Sequence, residues 1–65
     1  MIEIDKMIAY LQSQLDDLTK EIERFGLEDR IVKKKMDQLL GNKDMVEALI
    51  GQPVNLQQDG KVTIG

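Results

Sequence analysis

The sequence predicts a mainly α chain: a small oligomeric helical hairpin or coiled coil with a C-terminal β-hairpin tail. Three observations carry that expectation. Apolar residues recur at alternating steps of three and four from Met1 to Phe25. Gly26, Gly41 and Gly51 then punctuate the chain at spacings suited to short helices. After Pro53 the pattern changes to branched residues on either side of Asp59-Gly60.

The first helix is expected over about residues 2–25. Met1, Ile8, Leu15 and Ile22 take heptad position a, and Ile4, Leu11, Leu18 and Phe25 take position d. Asp, Glu, Lys, Gln and Thr lie between them, and no Gly or Pro interrupts the run. Asp16 and Lys20 stand four apart in the favourable acid-before-base order.

Beyond Phe25 two readings stand. In the first, Gly26 ends the helix in a left-handed C′ conformation, with Leu27 folding back as the hydrophobic residue after it. A second helix then runs over about 28–40, opened by Glu28 and Asp29, with Val32, Met36, Leu39 and Leu40 as its buried stripe. Gly41 ends it, Asn42 caps a third helix over about 43–50, and Met45, Val46, Leu49 and Ile50 form that helix's face. In the second reading the heptad continues through Val32, Met36, Leu39, Val46 and Ile50 as one coiled-coil rod of about 75 Å. The rod puts Asp29 and Lys43 at a positions and two glycines inside a helix, at about 1 kcal/mol each. It also leaves Leu27, Ile31, Leu40, Met45 and Leu49 off the seam, where a folded-back hairpin would use them.

Residues 1–51 are thus expected to form a helical oligomerisation region and residues 52–65 a β-hairpin tail. Asp59-Gly60 suits a two-residue type I′ turn between strands at Val54–Gln58 and Lys61–Ile64. A lone hairpin is marginal in water, so this one must dock on the helices, join a neighbouring chain's strands or stay mobile as a frayed terminus.

Composition narrows the function classes. Sixty-five residues without Cys or His exclude disulfide staples and leave almost no donor set for zinc. They also exclude a Ser-His-Asp triad and a thiol nucleophile. For so small a core, self-association is the remaining stabilising device, as a dimer or a trimer. A net charge of −3 argues against a nucleic-acid partner. No apolar run approaches the roughly 18 residues of a membrane span. The opening Met-Ile-Glu-Ile-Asp-Lys is polar where a secretory signal would be basic and then apolar. A cytoplasmic location is expected, a virion component assembled there being compatible with it.

The charge is polarised. Residues 1–29 carry eight acids and three bases, whereas residues 30–65 carry four acids and six bases. That asymmetry favours the two halves meeting.

Two groups of candidate site residues emerge. Ile4, Ile8, Leu11, Leu15, Leu18, Ile22 and Phe25 are expected at an oligomer interface. Arg30, Lys33, Lys34 and Lys35, with Tyr10, are candidate contacts for an anion or a partner. The same lysines would equally serve as a solvated face beside the acidic first helix, and Tyr10 as packing beside Met7. Adjacent carboxylates such as Asp16-Asp17 splay about 100° apart on a helix and do not converge for acid–base work. No catalytic residue, metal ligand or cofactor is expected.

The expected function is non-enzymatic: an assembly, adaptor or structural subunit, self-associating through the seam and docking a protein partner through its tail. Two alternatives differ in class. One is a small inhibitory or sequestering protein that grips an anionic small molecule at an oligomer interface. The other is an acidic decoy for a nucleic-acid-binding protein, presenting Asp16, Asp17, Glu21, Glu23, Glu28 and Asp29.

Overall fold

The computed structural model describes residues 3–57 and 59–65. The a position of Met1, a helix start at residue 2 and a strand end at Gln58 lie outside the described residues. Helix α1 spans Ile4–Phe25 and helix α2 spans Arg30–Ile50; strands β1 (Val54–Leu56) and β2 (Val62–Ile64) follow. The chain turns back at Gly26, so the hairpin forms and the rod does not.

Gly26 adopts φ 86 and ψ 164, a region essentially reserved for glycine, and its N–H donates to the Ile22 carbonyl at 2.8 Å. This ψ departs from the left-handed helical value a folded-back cap needs. Leu27 accordingly stays exposed instead of folding onto α1. Helix α2 starts at Arg30, not at residue 28, because Asp29 is its cap. Asp29 Oδ1 accepts the N–H groups of Ile31 at 2.9 Å and Val32 at 3.1 Å.

The expected break at Gly41 is absent, and one helix replaces two. Val32, Leu39 and Val46, seven residues apart, form a single buried stripe against Leu11 and Leu18 of α1. Ending the helix at Gly41 would take Val46 out of that stripe. Burying a valine contributes about 1.5–3 kcal/mol, more than the roughly 1 kcal/mol that a helical glycine costs. Asn42, expected as a cap, sits inside α2 and donates from Nδ2 to Gln14 Oε1 of α1 at 3.1 Å.

The β-hairpin is one-sided. Val54 pairs with Ile64, Asn55 with Thr63 and Leu56 with Val62, so the four apolar side chains share a face. Val54 and Val62 are buried on the helices, whereas Asn55 lies on the solvent side. The ladder closes with Gln57 N–H donating to Lys61 C=O at 2.9 Å and Gly65 N–H to Pro53 C=O at 3.0 Å. In this register the N–H groups of Val54 and Val62 point outward from the ladder.

Helix side chains capture both outward groups. Val54 N–H donates to Glu47 Oε2 of α2 at 2.7 Å, and Val62 N–H donates to Gln12 Oε1 of α1 at 2.9 Å. Gln12 Nε2 in turn donates to the Gly60 carbonyl. β1 therefore lies along α2 and β2 along α1.

The turn differs from the expected type I′. Three residues, 58–60, separate the paired Gln57 and Lys61, and Gly60 N–H donates to Gln57 C=O at 3.0 Å. Only Gly60 takes positive φ there among the described residues; Asp59 does not, which a type I′ turn would require. Asp59 instead accepts the Lys61 N–H on its carboxylate at 3.1 Å.

Candidate functional site

The β-hairpin occupies one broad face of the helix pair, held there by Gln12 and Glu47. The opposite face is built from two rows. On α1 it comprises Tyr10, Gln14, Asp17 and Glu21, and on α2 it comprises Ile31, Lys35, Gln38, Asn42, Met45 and Leu49. Steps of three and four align each row along its helix. Two cross-links fix their register: Asn42 to Gln14, and Lys35 Nζ to Glu21 Oε1 at 2.7 Å. In the antiparallel pair these place Tyr10 one turn from Gln14, beside Met45 one turn from Asn42.

This face is polar at its centre and apolar at its ends. Gln14, Asp17, Leu18, Lys35 and Gln38 line a shallow central depression of 160 Å³. Tyr10 is 57% exposed, Met45 60% and Leu49 55% at one end, and Ile31 is 61% exposed at the other. Leu27 is exposed in the connection beside Ile31. Among the described residues nothing covers them.

The sequence-predicted seam is divided. Leu11 and Leu18, 0% and 4% exposed, are enclosed by the chain's own α2 and β-hairpin. Leu11 is wholly enclosed, and only an edge of Leu18 reaches the central depression. Ile8, Leu15 and Ile22 are half-buried and pack against the same core. Only Ile4 and Phe25, at the two ends of α1, remain exposed. The apolar periodicity that suggested an interface between copies is thus met within one chain.

The basic cluster does not form an anion cradle. At 3.6 residues per turn, Arg30, Lys33, Lys34 and Lys35 spread over more than half of the circumference of α2. Lys35 turns to Glu21, while the other three are exposed. The acidic set is dispersed as well. Asp29 is spent as a cap and Glu21 on Lys35, whereas Asp16 and Glu23 border a separate groove with Lys20 and Asp59 beside the β-turn.

A second constellation lies at the far end of α2. Glu47 accepts from Lys43 Nζ at 3.1 Å as well as from Val54. The Val54 N–H, and then the Lys43 ammonium, hold the Glu47 carboxyl below its ordinary value of 4.5. The hydrogen bond to Glu47 holds Lys43 above its ordinary 10.5. The arrangement anchors the hairpin to α2.

Sequence reasoning placed Ile31, Leu40, Met45 and Leu49 inside a hairpin core, yet all four are exposed. The overlooked signal is the second heptad row of α2, Ile31-Lys35-Gln38-Asn42-Met45-Leu49, offset from the buried stripe by a quarter turn or more.

Among the described residues no group of His, Cys, Asp and Glu could hold a metal ion, and no helix is long and apolar enough to cross a membrane. No protein-family model matches the chain, and neither a curated protein nor a solved structure does.

Proposed function

We propose that this chain is a non-enzymatic interaction module, an assembly or adaptor subunit that docks through the uncovered face of its helical hairpin. One observation carries the reading: Tyr10, Ile31, Met45 and Leu49 stand exposed in register on the face opposite the β-hairpin. Aromatic and methionine side chains flanking a polar centre match the composition of docking surfaces.

A photo-crosslinking side chain installed in cells at Met45 or Leu49 tests this. Adducts of one discrete mass from these positions, with none from Thr63 on the outer face of the sheet, are the expected result. No adducts from any position, or equal yields from all, would overturn the docking reading.

A further inference from the structure

We propose that the uncovered face binds a second copy of this chain, with α1 of each copy lying along α2 of the other about a twofold axis parallel to the helices. The proposal rests on the docking reading above and names its occupant.

Charge complementarity selects the partner and the axis. At the centre of the uncovered face the carboxylates Asp17 and Glu21 belong to α1, whose row ends in Lys6 and Arg24, and Lys35, with Lys34 on its flank, belongs to α2. A twofold axis parallel to the helices lays each α1 over an α2 while preserving axial level. Within the chain Gln14 meets Asn42 and Glu21 meets Lys35, so the same levels meet between copies. Glu21 of one copy then faces Lys35 of the other, with Lys34 on the flank at the same level, while Asp17 lies level with Gln38. Lys35 uses one of its three donors on its own Glu21, leaving two for the second copy. At the same time Tyr10 seats on the other copy's Met45 and Leu49, giving two symmetric aromatic–thioether contacts.

The perpendicular twofold axis lacks this fit. It would set α2 against α2 and α1 against α1, so that the acidic row of one copy meets that of the other, and like charges facing each other repel.

The dimensions agree with a dimer. The molecule measures 37 × 19 × 18 Å, so its broad face offers about 700 Å², against about 800 Å² per partner in a standard interface. A free-standing protein of 7.4 kDa exposes about 4,200 Å², whereas this chain exposes 4925 Å².

Two measurements on the purified full chain test the proposal. Light-scattering mass across roughly a thousandfold dilution should pass from dimer to monomer. The chain has no cysteine, so introduced thiols report orientation cleanly. Tyr10→Cys mixed with Met45→Cys should form the mixed disulfide under mild oxidation, and each variant alone should not. The variant Lys35→Glu should weaken self-association about tenfold or more, and mixing it with Glu21→Lys should restore it; circular dichroism verifies that both variants keep their helices. A monomer at every concentration overturns the second copy as occupant. Self-crosslinking of Met45→Cys overturns the orientation. A monomer whose Met45 photo-adduct in cells contains a different protein overturns this proposal and leaves the docking reading standing. Loss of the Met45 adducts themselves overturns both.

Discussion

Glu47 joins the last turn of α2 to the β-hairpin: its Oε2 accepts the Val54 N–H at 2.7 Å while its Oε1 accepts from Lys43 at 3.1 Å. One carboxylate thereby caps the exposed edge of β1 and ties it to the helix. Its ionised form is the one that both donors favour.

The hairpin should therefore loosen in acid. Glu47 titrates below 4.5 in the folded chain, so its contribution is full above 4.5 and is lost as pH falls through the folded value. Lys43 titrates above 10.5, so its contribution is full below 10.5 and is lost as pH rises through the folded value. Thermal melts from neutral to acidic pH should show a falling midpoint below pH 4.5, and Glu47→Gln should flatten that dependence. In Glu47→Ala the Val54 amide should lose hydrogen-exchange protection at neutral pH while Leu39 in the core keeps more of its own.

Gln12 makes the opposite electrostatic test possible. Its amide accepts from Val62 N–H and donates to the Gly60 carbonyl, and it also donates to Asp16 at 3.2 Å. Gln12→Glu keeps the acceptor but turns both donations into repulsions. This variant should be less stable than the wild type at neutral pH and should recover part of the difference on acidification, the reverse of the Glu47 dependence.

Gly41→Ala should stabilise the chain. Gly41 lies in an unbroken helix, and a Cβ there meets nothing within 4 Å. The expected gain is about 0.5–1 kcal/mol, read as a rise in melting temperature of roughly 2–8 °C. An unchanged or lower midpoint would mean that α2 is not continuous there.

Asp29→Ala should cost about 0.5–2 kcal/mol, because two N–H groups at the start of α2 lose their shared acceptor. Asp29→Asn, which keeps an acceptor oxygen, should recover most of it in chemical denaturation.

Leu11→Ala should destabilise the single chain by about 2–5 kcal/mol, since Leu11 is wholly enclosed by its own fold. Met45→Ala, on the uncovered face, should change the stability of the isolated chain by less than about 0.5 kcal/mol. Denaturant unfolding at low concentration separates the two. Comparable losses would show that the uncovered face also supports the fold.

The amino-acid sequence alone determined the helical run of α1 up to Phe25, the amphipathic stripe of Leu11 and Leu18 and the C-terminal hairpin around Asp59-Gly60, while it left the turn at Gly26 open against a continuous rod. Each follows from local periodicity or from a residue whose backbone preference is strong, and such preferences act within a few residues. Only the tertiary structure decided that α2 runs through Gly41, because the burial of Val46 against a helix thirty residues away outweighs one glycine. Tertiary packing also turned the apolar seam inward and left Tyr10, Met45 and Leu49 outside. Heptad spacing records which residues share a face of a helix but not what covers that face. The cover here came from Val54 and Val62, positioned by Glu47 and Gln12, contacts that no local pattern in the chain encodes.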